Sequence, residues 1–306
     1  MTSIEWTDET WNPLAGCTRA SAGCDNCYAA RMALRLEAMA QADIAAGKDP
    51  GGKTKYIGVA TRNGRGVPAF NGTINLDTDA LNVPLNWRKP RRVFVNSMSD
   101  LFHPGVPFRF VADAFTVMRL SPRHTYQVLT KRPGRMADFQ RQHYPNGFPA
   151  NVWAMTSVEN QAAADERIPD LLRVRAAVRG LSMEPLLGPV NIGFGGVMPN
   201  RWQWLDGDSL HWVIVGGESG PNARPMHPDW VRSIRDQCQA AGVPFFFKQW
   251  GDWCYPSQMT DGERRAWDVY HGTENVEERP AALGKKRAGR LLDGREWNEY
   301  PEVTIP

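Results

Sequence analysis

No apolar run in the sequence approaches the roughly 20 residues a membrane-spanning helix needs, which excludes a helical span. The N-terminal stretch MTSIEWTDET has neither the basic patch nor the apolar core of an export signal. Cysteine is scarce, with five in 306 residues. That odd, clustered set is unlike the framework of a disulfide-stapled secreted protein, so a reduced, cytoplasmic protein is expected. Charge is nearly balanced at +3, which permits an anionic partner without demanding one. What is present is a hydrophobic share of 42% and a charged share of 23%, enough for a soluble chain with a sizeable core in one large or two ordinary domains. Tryptophan is plentiful at twelve. Several stand beside Pro, Gly or charged residues, which predicts a wide aromatic surface or cleft.

From about residue 90 a pattern recurs: a short β-branched or aromatic run ends in a polar residue, and a helical or loop segment follows. The runs are RRVFVNSMSD (91–100), TYQVLTKRP (125–133), NVWAMTSVEN (151–160), VRGLSMEP (178–185), HWVIVGGESG (211–220) and VPFFFKQWG (243–251). FRFVADAFTVMRL (108–120) and WVRSIRDQCQAAG (230–242) space their apolar residues at three and four, the second closing on a glycine stop. YAARMALRLEAMAQADIAA (28–46) predicts a further helix, and SIEWT (3–7) and GTINLD (72–77) two further strands. Up to eight apolar strands alternating with helices predict an α/β fold, a full or partial (β/α) barrel of parallel strands over 1–251. A doubly wound open sheet has the same periodicity. Residues 48–71, rich in Gly, Lys and Arg, are expected to be a loop insertion. Residues 252–306 are expected to pack on the barrel as a C-terminal extension.

In parallel α/β folds functional groups gather where strands end. Those ends carry Ser97, Ser99 and Asp100; Thr130, Lys131 and Arg132; Ser157, Glu159 and Asn160; Ser182 and Glu184; Glu218 and Ser219; Lys248 and Gln249. Some are ordinary helix caps, but the whole set predicts a polar rim that binds a ligand. The glycine pair of GGESG allows a tight turn or close approach to a ligand.

The stretch GCTRASAGCDNCYA places Cys17, Cys24 and Cys27 in one loop between a strand and a long helix. A structural zinc site needs a fourth ligand, which Cys238, Cys254 or His103 could supply from afar. Inert buried thiols fit poorly with the polar surroundings. A [4Fe–4S] cluster takes soft thiolates, and three of them leave one iron open.

With Tyr28 beside the last cysteine, this loop resembles that of the radical S-adenosylmethionine superfamily. Its first gap is six residues where the commonest superfamily spacing has three. The stretches IEWTDETWNP, VFVNSMSDLFH, VLTKRP, SMEPLLGPV, WVIVGGESGPNARPMHPDWVR, PFFFKQWG and LLDGREW, with the cysteine loop, resemble a phage- and prophage-associated family of unknown function that carries a three-cysteine motif. The superfamily resemblance implies that Cys17, Cys24 and Cys27 hold a [4Fe–4S] cluster. Its open iron would bind S-adenosylmethionine, and an electron donor would drive cleavage to methionine and a 5′-deoxyadenosyl radical. On that picture Asp100, Glu159, Glu184 and Glu218 face the cofactor's amino or ribose groups, and Asn96, Ser97 and Ser99 make its polar contacts. Lys131, Arg132 and Lys248 hold its carboxylate or a substrate phosphate, with Lys248 and a late hydrogen donor, Cys254, as catalytic candidates. The basic segments 53–67 and 284–290, with the aromatics of KQWGDW, suit a nucleotide or nucleic-acid substrate. Two other classes stay open: a non-catalytic iron–sulfur protein that binds nucleic acid, and a zinc-stabilised barrel hydrolase using the strand-end carboxylates.

Overall fold

Each of the six β-branched and aromatic runs after residue 90 forms a strand, because buried positions in a parallel sheet tolerate apolar side chains on both faces. A computed structural model describes residues 4–193, 210–259, 261–262 and 279–302. The strands are β1 (Glu9–Trp11), β2 (Arg92–Val95), β3 (Thr125–Thr130), β4 (Val152–Ser157), β5 (Arg179–Met183), β6 (Trp212–Gly216) and β7 (Phe245–Gln249). The main helices are α1 (Tyr28–Ala45), α2 (Phe108–Leu120), α3 (Pro133–His143), α4 (Gln161–Leu172) and α5 (Pro228–Ala241). Strand order follows the chain from β1 to β7, and the pairs β1–β2, β2–β3, β3–β4, β5–β6 and β6–β7 are all parallel. A strictly sequential order has no reversal point, so a doubly wound sheet is excluded and the winding is that of a partial (β/α) barrel.

Two strand expectations are corrected. The first strand lies at Glu9–Trp11 rather than 3–7, since Trp6 packs on Phe94 at 4.7 Å and the Thr7 hydroxyl donates to Arg92 O at 2.9 Å, anchoring the chain before β1. Residues 72–77 add no parallel strand. Only Asn75–Leu76 is extended, paired antiparallel with Leu14–Ala15. An eighth parallel strand is therefore absent among the described residues.

The chain divides into two compact units, Met1–Thr156 with Arg167–Arg179, and Ser157–Glu166 with Gly180–Glu302. In the first, α2 buries Phe110, Val111, Ala114, Phe115, Val117 and Met118, and Phe115 meets Phe139 of α3 at 5.0 Å. The 48–71 insertion is folded rather than a loop. It holds a 3-10 turn, Gly51–Tyr56, and a hairpin, Ala60–Arg62 with Pro68–Phe70. Tyr56, Val59 and Ala60 share a small core with Ala29 and Ala33 of α1.

In the second unit α5 ends as expected. Gly242 takes φ 67°, its N–H meets Gln239 O, and Val243 N–H returns to Cys238 O at 2.9 Å, a glycine-closed helix end. The extension docks here. Phe247 N–H bonds Trp297 O at 3.0 Å and Glu299 N–H bonds Phe245 O at 3.2 Å, so the tail covers the free edge of β7. Asp293 ties the tail to α5 through Arg232 and Arg235. The parts of the extension at 260, 263–278 and 303–306 lie outside the described residues.

Of the described tryptophans, Trp87, Trp230, Trp253 and Trp297 are half-buried. Trp6, Trp11, Trp153, Trp212 and Trp250 are buried, and no tryptophan is exposed among the described residues. Trp202, Trp204 and Trp267 lie outside them.

Gly217 of GGESG serves chain-to-chain contact with the turn at Gly251. A Cβ on Gly217 would sit 1.9 Å from Trp250 O, and one on Gly251 would sit 2.1 Å from Glu218 O. Gly217→Ala is expected to destabilise the protein by more than about 2 kcal/mol in urea unfolding, because backbone rather than a flexible side chain must give way. Gly64→Ala, where a Cβ meets nothing, should stay within about 0.5 kcal/mol of the parent.

Candidate functional site

The cysteine loop is held on both flanks by the backbone. Leu14–Ala15 pairs with Asn75–Leu76, Gly16 bridges Ser99, and Gly72 N–H donates to Cys17 O at 3.1 Å. Gly16 takes φ 100°, and a Cβ there would lie 1.9 Å from Thr73 O, so only glycine allows this approach. The loop ends where α1 begins, with Cys27 at the helix N-cap.

Residues after β2 clasp the loop's entry. Asn12 Oδ1 accepts from Met98 N–H at 3.0 Å, and Asn12 and Ser97 exchange a side-chain hydrogen bond at 3.3 Å. Ser99 Oγ donates to Leu14 O at 3.1 Å, and the Tyr28 hydroxyl donates to Ser97 O. Asn96 is buried in the left-handed region at φ 59°, and neither side-chain amide atom has a hydrogen-bond partner. Buried polar groups are normally satisfied, so the bonding capacity of the Asn96 amide is unspent.

A polar cluster lies between β3 and the loop. Asp100, buried, accepts from Thr130 Oγ1 at 2.7 Å, Phe102 N–H at 2.9 Å and Arg132 Nη1 at 2.7 Å. Arg132 Nη2 donates to Thr18 Oγ1 at 2.8 Å and Thr18 O at 3.3 Å. His103 Nδ1 accepts from Gly105 N–H at 3.0 Å, which leaves its Nε2 as the N–H donor to Thr18 Oγ1 at 2.9 Å. Both ring nitrogens are thus engaged, and His103 is not placed as a fourth metal ligand. Lys131 Nζ donates to Ser21 Oγ at 3.4 Å.

The three thiols are half-buried and free of disulfides. Burial pushes the Cys17 thiol up to about 12, Asp100 adds to the rise, and Arg132 opposes it. Burial also raises Cys27, against the N–H groups of Ala30 and Ala29 in the first turn of α1. Cys24 adds to the rise at both Cys17 and Cys27. Among the described residues no three His, Cys, Asp or Glu side chains form a group that could hold a metal ion. One tetrahedral zinc with bonds of about 2.3 Å would draw its thiolates to about 3.8 Å from each other. A cluster bonds each thiolate to a different iron and needs them further apart. Three soft donors on one glycine-hinged loop, beside two cations, fit that group in chemistry.

The second unit holds the remaining candidates. Glu184 pairs with Lys248, and Gly216 lies against both, its would-be Cβ 3.3 Å from Glu184 Cγ and 3.4 Å from Lys248 Cβ. Glu218 is gripped by Arg224 through Nε at 2.9 Å and Nη2 at 2.6 Å. Glu159 is buried, and its carbonyl accepts from Leu187 N–H at 2.7 Å. Cys254 is buried in a two-residue strand, Trp253–Cys254, paired with Ala281–Ala282. Cys238 is buried on α5. Sequence reading missed Thr18, Asn12 and Arg224, which carry no spacing signal and matter only through partners distant in the chain.

Asp100→Ala is expected to cost about 3 kcal/mol or more in denaturant unfolding of the metal-free protein, since it strands a largely buried guanidinium. Loss below about 1 kcal/mol would mean that the pair is solvated.

No curated protein and no solved structure matches the chain. A family model described as "Protein of unknown function (DUF5131)" matches residues 1–301. The chain that binds its cysteine loop to the ends of β2 and β3 is thus a member of this family, DUF5131, over nearly its whole length.

Proposed function

We propose that the protein is an iron–sulfur enzyme that uses S-adenosylmethionine to start radical chemistry. The observation that carries this reading is the trio Cys17, Cys24 and Cys27: three half-buried thiols outside any disulfide, on one loop held against polar strand ends. When bound, the cluster and S-adenosylmethionine would supply reductive cleavage and a hydrogen-abstracting radical. The chain's own part is to hold and orient. Asn96 offers an unspent amide donor and acceptor. Ser97 and Ser99 fasten the loop's entry, and Asp100 and Arg132 fix its first cysteine. Lys248, paired with Glu184, is a charge to be shared with a substrate anion rather than a free base. Cys254, buried at 1% exposure, gains no support as a hydrogen donor.

A nucleotide or nucleic acid is the proposed substrate class. Arg62, Arg65, Lys285, Lys286 and Arg287 are exposed in the two basic segments, which supports it. Lys53 and Lys55 of the first segment are instead engaged with Asp43 and Asp77.

Protein purified without oxygen is expected to be brown, to absorb near ~400 nm, and to contain iron and sulfide. Reduced with S-adenosylmethionine present, it should release 5′-deoxyadenosine. Cys24→Ala should lose the iron while staying soluble and folded. Colourless, iron-free wild-type protein would sink the cluster, and an iron-loaded protein releasing no 5′-deoxyadenosine under several reductants would favour a non-catalytic role. Separately, a single-stranded oligonucleotide should bind with an affinity that falls steeply with salt, and Arg62→Ala with Arg65→Ala should flatten that slope by about two counterions. Salt-independent binding, or none, would remove nucleic acid as substrate.

A further inference from the structure

We infer that Arg132 is a positioning residue for Cys17, holding its loop in place and donating toward its sulfur, rather than a binder of a ligand's carboxylate. The inference deepens the proposed function and rests on it for the cluster, while its claim about the loop stands on the protein alone.

Arg132 follows the last residues of β3 and reaches across to the cysteine loop. Nη1 spans Asp100 Oδ2 at 2.7 Å and Cys17 Sγ at 3.9 Å. Nη2 spans the carbonyl and hydroxyl oxygens of Thr18 at 3.3 and 2.8 Å. Its own backbone N–H is taken by Thr130 Oγ1 at 2.9 Å. The partners are fixed in turn. Asp100 is held by Thr130, Phe102 and Lys131, and Thr18 Oγ1 by the Nε2–H of His103, whose tautomer the Gly105 N–H dictates.

Two consequences follow. First, both terminal nitrogens are engaged by Asp100, Cys17 and Thr18, so a ligand carboxylate would compete with these bonds for the fork. Second, the residue after Cys17 is anchored at two atoms, which sets the direction of the Cys17 side chain. A planar fork does this and an ammonium does not. A positive N–H aimed at a cluster-ligating sulfur stabilises the reduced, more negative cluster, so it raises the reduction potential.

The test uses full-length protein and the variants Arg132→Gln, Arg132→Lys and Thr18→Val. In metal-free protein, amide hydrogen exchange at Gly72, whose N–H donates to Cys17 O, should be faster in Arg132→Gln by about fivefold, the weight of one lost hydrogen bond. The Val243 N–H, which closes α5 on Cys238 O, should exchange as in wild type and so report an intact fold. In reconstituted protein, Arg132→Gln should show a more negative midpoint potential, with Arg132→Lys between it and wild type because charge returns without the fork. If Arg132→Gln fails to fold, Thr18→Val, which leaves the Asp100 pair in place, should still speed exchange at Gly72. Unchanged exchange in whichever variant folds, or an unchanged potential in Arg132→Gln, overturns the inference. Wild-type protein that takes up no iron overturns the cluster instead, and the exchange arm still decides the role of Arg132.

Discussion

The buried pair of Asp100 and Arg132 is the interaction on which the site depends. It joins the ends of two neighbouring parallel strands, β2 and β3, and through Thr18 it brings the cysteine loop to them. Such a pair contributes little net stability, since desolvation offsets the attraction, but breaking it leaves a stranded charge. Its value here is directional. A glycine-containing loop acquires a defined placement because one guanidinium contacts it at Thr18 and Cys17.

A second constraint is close packing of backbone on backbone. Gly16, Gly217 and Gly251 all stand where a Cβ would meet a carbonyl oxygen at about 2 Å. At Gly16 this seats the loop against residues 72–77. In the second unit it seats the turn after β6 against the turn after β7, where Gln249 Nε2 also donates to Gly217 O at 3.0 Å and Asp252 N–H to Glu218 O at 3.0 Å. Glycine in a motif at the end of a strand invites a ligand-binding interpretation. Here the chain itself occupies that space.

Strand-end charges behave alike in both units: most are paired within the protein. Glu218 has Arg224, Glu184 has Lys248, and Asp100 has Arg132. Charges of both signs at partly buried strand ends neutralise each other because an unpaired one would be costly. Asn96 differs, because an uncharged amide can stay buried at a smaller penalty without a partner.

Helices and strands were legible because periodicity is local. The predicted helix 108–120 matches α2 residue for residue, the glycine stop of α5 falls at Gly242, and six apolar runs became six strands. The three cysteines stood out because their spacing lies within eleven residues. What the sequence by itself determined was therefore the α/β class, the order of its elements and the existence of a thiol-bearing loop. Tertiary structure alone decided the rest: that the first strand begins at Glu9, that residues 72–77 clamp the loop instead of extending the sheet, that the insertion folds onto α1, and that Arg132 answers Asp100 and Thr18. The reason is physical. Periodicity reports which face of a segment is apolar, whereas a hydrogen-bond partner 114 residues away is chosen by distance and angle in three dimensions, which no local pattern encodes.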